Sequence, residues 1–462
     1  MKKINFLCAL LYVSATASAQ ETDTTINAYA AGYVANFTCS ATFNSKKTTA
    51  QIKHDELTGI YSVIADKVAA LSAKVDKEHK RVVVSYDNGA HQRISVWRPR
   101  LGCVDLPVGA TVDQAALVLS PFSENLADKP DTGAPWTKRN GVNNKTANHA
   151  LNKVIEQAFT KHYGEGARTS AILIATPDAI LAEHYKPGFT PETAQRTWSV
   201  AKSIGASIIG VALQQKRLEV TQSAGLSSWS HALDPRNKIT LQHLLHMASG
   251  LDSNVAGNRT DRVYMGGGLV SDTATHTALE VEPGSRWKYA NNDTMLAMRT
   301  LRETFDDELT YLTYPYKNLL DKIGMQHTFL ETDWRSDFIL SSQVWTTSRD
   351  LARLGLLHLH NGKWNNEQLL PSNWLTYIST PAMAQPPLKS PGYGAQWWLY
   401  NERFPQLPND TIAARGNRGQ YLVIIPSKQL IIVRRGYDLA GQQGFSEHDF
   451  TRDVLAALDD KA

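Results

Sequence analysis

The chain has 462 residues, of which 42% are hydrophobic and 20% are charged, and its formal net charge is +4. This composition is ordinary for a globular protein. The nearly balanced charge, with no basic stripe in the sequence, excludes nucleic acid as an expected partner. The length predicts two domains rather than one small core.

Residues 1–19 have the features of a secretory signal peptide. A basic start is followed by a mostly apolar run, residues 4–13, and by the small-residue cleavage site Ala17-Ser18-Ala19. A membrane anchor is the alternative, but the apolar run is too short to span a bilayer. The sequence therefore predicts an exported chain, periplasmic or secreted, with no membrane span.

Two cysteines, Cys39 and Cys103, remain once the predicted signal peptide is removed. An even number of cysteines in an exported chain favours one disulfide. Two free buried thiols are the alternative. We prefer the disulfide because the compartment is oxidising.

Residues 20–120 are predicted to form a small N-terminal α+β unit. Its start is weakly patterned, residues 62–75 have helical spacing, and residues 80–99 predict a hairpin around an Asp-Asn-Gly turn. The next segment, residues 121–146, is rich in Pro, Gly, Asn and Asp, which indicates a linker or a surface loop.

The remaining part, residues 147–462, has predicted strands at both ends and predicted helices in its middle. Residues 169–185 and 420–436 each predict two strands joined by a short turn that contains proline. The economical arrangement is one sheet built from both ends, with a helical insertion between them.

A serine and a lysine lie three residues apart at the start of a predicted helix, in "TWSVAKSIGASIIGVALQQKRL". Ser199 and Lys202 would share one helix face, and the helix N-terminus favours developing negative charge. A partly desolvated lysine can activate a serine nucleophile. The alternative is an N-cap serine with a lysine that reaches solvent. A second such pair, Ser285 and Lys288, follows Pro-Gly in a predicted loop and is a poor candidate.

The motifs that follow identify a family resemblance. "YAN" at residues 289–291 and "ARG" at residues 414–416 come after the Ser-x-x-Lys pair, in that order. The chain resembles serine hydrolases of the class C β-lactamase and penicillin-recognising superfamily, particularly 6-aminohexanoate-oligomer-hydrolase-like and family VIII esterase-like members. The resemblance covers residues 147–460. It implies a β-lactamase-like α+β or α/β fold, in which an antiparallel sheet is flanked by helices and carries a helical insertion.

The resemblance also implies roles for individual residues. Ser199 matches the acylated nucleophile, and Lys202 matches the lysine that shares its proton. Tyr289 matches the general base or acid that works with this lysine, although a core aromatic with a satisfied hydroxyl is the alternative. We expect the lysine ammonium to stabilise the phenolate, so that the pair titrates as a unit. Asn291 matches the asparagine that orients the lysine and the substrate.

The third motif departs from the family pattern. Ala414 stands where β-lactamases of this fold have lysine, while Gly416 is kept. The N–H of Asn417 would then be the second oxyanion donor, beside that of the nucleophile. Arg415 and Arg418 either replace the lost charge or are solvated.

The predicted function is that of an exported serine hydrolase, which cleaves an ester or amide in a small molecule or a short peptide-like substrate. We expect no metal and no cofactor, and we interpret His243 and His246 as structural because the sequence offers no third ligand nearby. A β-lactamase or D-amino-acid peptidase is the alternative within enzymes. A non-catalytic binding protein of the same fold is the alternative outside them. The sequence does not predict an oligomeric state.

Overall fold

The computed structural model describes residues 7–252 and 261–459. Its α-helices are, in chain order, α1 (Leu7–Phe43), α2 (Thr49–Asp55), α3 (Ser62–Ala70), α4 (His149–Ala158), α5 (Val200–Gln214), α6 (Leu241–Leu245), α7 (Asp261–Tyr264), α8 (Val270–Ala274), α9 (Asn291–Arg302), α10 (Glu308–Pro315), α11 (Ser348–Leu359), α12 (Trp374–Ser379) and α13 (Glu447–Asp459). A π-helical turn at Tyr316–Leu320 follows α10.

The strands are β1 (Ala73–Asp76), β2 (Arg81–Tyr86), β3 (His91–Arg98), β4 (Gly102–Asp105), β5 (Lys138–Arg139), β6 (Thr169–Ala175), β7 (Ala179–Tyr185), β8 (Gln195–Arg196), β9 (Phe329–Leu330), β10 (Val344–Thr346), β11 (Lys363–Trp364), β12 (Glu367–Gln368), β13 (Gly392–Tyr393), β14 (Trp398–Leu399), β15 (Ile412–Gly416), β16 (Gln420–Ile425) and β17 (Leu430–Gly436). Short 3-10 helices lie between some of these elements.

The main sheet joins the two ends of residues 147–462, called here the hydrolase-like part of the chain. Over the described residues it has eight strands in the order β13-β14-β15-β16-β17-β6-β7-β5. Neighbouring strands are antiparallel except β5, which pairs parallel with β7. Helices pack against this sheet, among them α5 and α11. The predicted antiparallel sheet with flanking helices is therefore confirmed.

Helix α5 is the central helix of the fold and fixes where the site lies. Every residue from Val200 to Ala212 is buried. A helix that is apolar on all faces has no side to give to solvent, so it must be covered all round. It packs against β15 and β16 on one side and against α9 on another. The start of α5 is thereby held beside the end of β15.

The N-terminal unit, residues 20–120, contains a second sheet with the strand order β1-β2-β3-β4. The predicted hairpin is confirmed, since β2 and β3 pair antiparallel. Helix α1 packs on this sheet. The weakly patterned start of this unit forms one continuous helix, α1, which the sequence did not predict. Residues 30–41 of α1 are buried on every side of the helix, so no exposed polar face gives the sequence a helical period.

The predicted signal peptide covers the N-terminal end of this helix. Residues 1–6 lie outside the described residues, and residues 7–19 belong to the backbone of α1. Cleavage after Ala19 stays a prediction. In the described part of the chain, the helices lack the combination of length and apolar sequence that crossing a membrane requires.

Residues 121–146, the predicted linker or surface loop, are tied to the main sheet. They supply β5 at its edge, and Trp136 is buried. The buried side chain of Asp131 pairs with Arg353 at 2.6 Å and with Arg349 at 3.7 Å, and both arginines lie on α11. Removing one partner of a buried ion pair costs about 3–5 kcal/mol, so this segment has a fixed path.

A disulfide joins Cys39 of α1 to Cys103 of β4. It closes a sequence separation of 64 residues inside the N-terminal unit. Both cysteines are buried in the core that the N-terminal unit shares with the hydrolase-like part.

We expect no alkylatable thiol in the exported protein without residues 1–19, as measured by mass spectrometry under non-reducing conditions. A double Cys39→Ala, Cys103→Ala variant should have a free energy of unfolding lower by up to about 4 kcal/mol, because the unfolded chain regains the entropy of a long loop. Two alkylatable cysteines in the native, oxidised protein would contradict the pairing.

Candidate active site

Ser199 and Lys202 meet at the start of α5. Ser199 is the residue that precedes the first helical residue, and it is half-buried. Lys202 lies almost one turn further on and is 1% exposed. Its Nζ donates a hydrogen bond to the Ser199 Oγ at 3.2 Å. The two side chains are therefore in contact on one helix face, as the sequence predicts.

The Lys202 amine is held by two further acceptors. Its Nζ lies 2.7 Å from the Asn291 Oδ1 and 2.7 Å from the carbonyl oxygen of Ser341. Burial penalises the charged form and lowers the pKa of Lys202 from 10.5 to about 7. Close to neutral pH, a large fraction of this lysine is thus a free amine that can accept a proton.

Tyr289 lies on the other side of Ser199. Its side chain is hydrogen-bonded to Ser199, and the Lys202 Nζ is 5.0 Å from the centre of its ring. Burial raises the pKa of Tyr289 well above its usual value, and the hydrogen bond from Ser199 only partly opposes this. The phenol is therefore protonated at neutral pH. Burial thus favours the neutral form of both groups, and the expected ammonium–phenolate pair stays a prediction.

Asn291 is the first residue of α9, and its amide oxygen accepts from Lys202. The Tyr-x-Asn spacing places Tyr289 just before this helix and Asn291 at its start. Two segments that are about 90 residues apart in sequence thus converge on one amine. The structure brings together all four residues of the predicted core: Ser199, Lys202, Tyr289 and Asn291.

Gly416 ends β15 against the start of α5. A Cβ atom at this position would lie 2.2 Å from the carbonyl oxygen of Thr197 and 3.2 Å from the backbone nitrogen of Ser199. Only glycine permits that approach. The contact supports the predicted register of the third motif, and it places Asn417 in the exposed turn just past the strand.

The residues around this glycine supply no unpaired cation. Ala414 is 1% exposed and belongs to the core that contains α5. The Arg415 Nε lies 2.6 Å from a carboxylate oxygen of Glu447, which neutralises its charge. Neither sequence-based alternative describes Arg418, which is 5% exposed and bonds backbone carbonyls of the N-terminal unit.

An aromatic wall lies next to Tyr289. Trp398 stacks on Tyr289 with 5.6 Å between ring centres. Trp287 and Tyr393 pack edge-on against Trp398 at 6.0 and 5.0 Å. The guanidinium carbon of Arg415 lies 5.4 Å from the centre of the Trp398 ring. Next to Tyr289 there is thus a cluster of aromatic side chains, with one arginine against it.

The other candidates from the sequence lie outside this cluster. The Ser285 hydroxyl donates to the carbonyl of Glu282 in an exposed turn. His243 caps the start of α6, and His246 stacks on Tyr377. Among described residues, the carboxylates and imidazoles close enough to share a metal are a separate set, Asp131, His327 and Asp350. Both carboxylates of that set already pair with Arg353.

Sequence reasoning missed two parts of this site. The carbonyl of Ser341 is a backbone acceptor, and no side-chain pattern announces it. The residue before the nucleophile, Trp198, has a left-handed backbone with φ = +50°, which is rare for a bulky residue. A tryptophan in this position gives no sequence signal for such a conformation.

The chain is similar to known hydrolases in sequence and in fold. The sequence profile of the family described as "Beta-lactamase" matches residues 155–435, more than half of the chain. The 6-aminohexanoate-dimer hydrolase of Paenarthrobacter ureafaciens is 25% identical over 294 residues, which cover 58% of this chain and 72% of that protein.

Two solved structures have the same fold. One, from Bacteroides dorei and provisionally described as a β-lactamase, has a TM-score of 0.56 and 18% identity, and covers 68% of this chain and all of its own. The other, a family VIII carboxylesterase, has a TM-score of 0.53 and 11% identity, and covers 68% of this chain and 99% of its own. At these identities, the likeness concerns the fold alone.

Proposed function

The chain belongs to the β-lactamase family of serine hydrolases, and we propose that it is an exported esterase or amidase that forms an acyl-enzyme on Ser199. The observation that carries the proposal is the hydrogen bond from the buried Lys202 amine to the Ser199 hydroxyl. A serine becomes a nucleophile only beside a base, and a lysine with a pKa of about 7 can be that base.

The reaction follows from the protonation states of the two partners. The Lys202 amine takes the proton of Ser199 as Oγ bonds to the carbonyl carbon of the substrate. The resulting oxyanion accepts hydrogen bonds from the backbone N–H groups of Ser199 and Asn417. The protonated Tyr289 gives its proton to the leaving oxygen or nitrogen as the ester or amide bond breaks, and the Lys202 ammonium returns a proton to it.

A water molecule completes the cycle. It loses a proton to the same base, attacks the acyl carbon and releases the acid, while Ser199 regains its proton. Asn291 keeps the amine aimed at the serine throughout, because its amide oxygen accepts from the same nitrogen.

The surroundings of the serine support an uncharged substrate. Ala414 offers no cation to a carboxylate beside the scissile bond, and Arg415 is neutralised by Glu447. The wall formed by Trp287 and Trp398 suits apolar or extended groups. Ester and amide cleavage are also the activities in the names of a carboxylesterase and a 6-aminohexanoate-dimer hydrolase to which this chain is similar. The signal-like residues 1–19 and the disulfide support export.

Ser199→Ala should lower the turnover of a p-nitrophenyl ester by at least about 10⁴-fold, because no other group in the cluster can form the acyl-enzyme. A fluorophosphonate probe should label Ser199 of the wild-type protein, as located by peptide mass spectrometry. Ser285→Ala is the matched control and should leave turnover unchanged. Turnover that survives Ser199→Ala would overturn the assignment, and a wild-type protein that is neither labelled nor active would favour the non-catalytic binding protein.

The specificity constant should rise with pH through an apparent pKa of about 7, because burial lowers the pKa of Lys202 to that value. Below this pKa the ammonium cannot accept the serine proton, so kcat/KM should fall about tenfold per pH unit as pH decreases. Lys202→Arg, which stays protonated at every accessible pH, should remove activity across the whole profile. A profile that is flat between pH 5.5 and 8.5 would contradict Lys202 as the base.

Short acyl esters or uncharged linear amides should be turned over faster than nitrocefin by about 10- to 100-fold in kcat/KM. A charge-assisted contact is worth roughly 1.5–3 kcal/mol, and Ala414 cannot supply one to the β-lactam carboxylate. Glu447→Gln removes the counter-charge of Arg415. It should narrow the difference in kcat/KM between the uncharged substrates and nitrocefin. If nitrocefin is the better substrate of the wild-type protein, the β-lactamase or D-amino-acid peptidase alternative replaces the esterase or amidase.

A further inference from the structure

Both residues next to the proposed oxyanion donors have a strained backbone. Trp198, just before Ser199, has φ = +50°, and Arg418, just after Asn417, has φ = +57°. Residues other than glycine rarely adopt this left-handed backbone conformation. It persists only where surrounding contacts hold it. The Ser199 N–H belongs to the peptide unit that begins at Trp198, so its direction depends on what fixes Trp198. Arg418 acts less directly, because it holds the turn in which Asn417 lies.

Trp198 is fixed in part by aromatic side chains of the N-terminal unit. Its ring centre lies 6.0 Å from that of Phe37 on α1 and 6.0 Å from that of Tyr61, which packs edge-on. The guanidinium of Arg196 covers the Trp198 ring at 3.8 Å. Trp198 is 7% exposed, so these contacts leave its ring little freedom.

Arg418 is fixed by backbone carbonyls of the same unit. Its guanidinium donates to the carbonyl of Asp55 at 2.7 Å and to that of Thr58 at 2.8 Å. Asp55 is the last residue of α2, where a helix leaves carbonyl groups unpaired and favours a cation, and Thr58 lies three residues beyond it. A third bond, to the carbonyl of Asp438 at 3.2 Å, ties the same side chain to the segment after β17.

The end of α2 is itself anchored to the hydrolase-like part. The buried Lys47 Nζ lies 3.1 Å from a carboxylate oxygen of Asp55 and 2.7 Å from one of Glu56. It also donates to the hydroxyl of Tyr437 at 2.6 Å. The carbonyls that receive Arg418 are thus held at a fixed position relative to the main sheet.

From these contacts we infer that the N-terminal unit braces the oxyanion hole from both sides, with Arg418 as the positioning residue on the β15 side and Tyr61 and Phe37 on the α5 side. This role rests on the proposed acyl-enzyme chemistry and extends it. The N-terminal unit contacts Trp198 and Arg418, which are the sequence neighbours of the donors Ser199 and Asn417. It acts on catalysis through these two neighbours. It gives residues 20–120 a function in transition-state stabilisation.

Arg418→Ala should lower kcat for a p-nitrophenyl ester by about 10- to 100-fold and change KM by less than about threefold, because an oxyanion donor acts in the transition state. The rate of fluorophosphonate labelling at Ser199 should fall by a similar factor. The pH at half-maximal kcat/KM should stay in place, since Lys202 is untouched. Added guanidinium ion at millimolar concentration should restore part of kcat.

Arg100→Ala is the matched control. Arg100 is equally buried and also ties the N-terminal unit to the hydrolase-like part, but through Asp321 at 2.5 Å and over the Tyr316 ring. It should lower the melting temperature and leave kcat within about twofold at temperatures where the variant is folded. An equal loss of kcat in Arg100→Ala would show general loosening and overturn the brace.

Tyr61→Ala keeps the inference testable if Arg418→Ala does not fold, because Tyr61 is 38% exposed and its loss leaves no buried cavity of its full size. We expect kcat to fall about three- to tenfold with KM unchanged. A folded Arg418→Ala or Tyr61→Ala variant with wild-type kcat overturns the brace. If the wild-type protein is labelled and active in that case, the proposed function stands and only this inference fails.

Discussion

The burial of one amine is the constraint on which the site depends. Lys202 is enclosed, and burial alone accounts for the lowering of its pKa to about 7. When the protein unfolds at neutral pH, the exposed lysine gains a proton that the folded one only half holds, and this costs the folded state about 4 kcal/mol. Because the folded-state pKa is lowered, this cost is absent above pH 10.5 and grows as pH falls toward 7. The chain keeps a destabilising group at the position of the proposed base.

The rest of the fold is arranged to hold that amine in one place. The ammonium form of Lys202 has three N–H donors, and three acceptors surround it: the Ser199 hydroxyl before α5, the Asn291 amide at the start of α9 and the backbone carbonyl of Ser341. The hydroxyl of Ser341 is in turn bonded to Tyr264. A helix that is buried all round, α5, is a rigid support for the serine and the lysine, because every face of it is packed. The burial that lowers the pKa of Lys202 exists only in the folded chain, so the lowered pKa is a property of the tertiary structure.

The sequence predicted the parts of the structure whose physics is local. Hairpins around Asp-Asn-Gly and Pro-Ser-Lys, and the Ser-x-x-Lys face of α5, follow from turn chemistry and helical spacing. The sequence could not predict α1, because its buried residues leave no exposed polar face. It also could not predict the buried path of residues 121–146, whose ion pairs join segments over 200 residues apart. Arg418 shows the limit most clearly. An arginine two residues after a motif glycine looks like a substrate contact, and only the fold shows that backbone carbonyls of the N-terminal unit receive it.

At the proposed oxyanion hole, local backbone strain and tertiary contacts oppose each other. A left-handed residue other than glycine costs roughly 1–2 kcal/mol, and two such residues flank the donors. A hydrogen bond from a charged group contributes about 1.5–3 kcal/mol, and Arg418 donates several to buried carbonyls. The contacts outweigh the strain on the β15 side by this comparison. On the α5 side, apolar burial and the Arg196 contact with Trp198 oppose the strain. Without the N-terminal unit the contacts that hold Trp198 and Arg418 would be missing, and the proposed donors at Ser199 and Asn417 would lose that support.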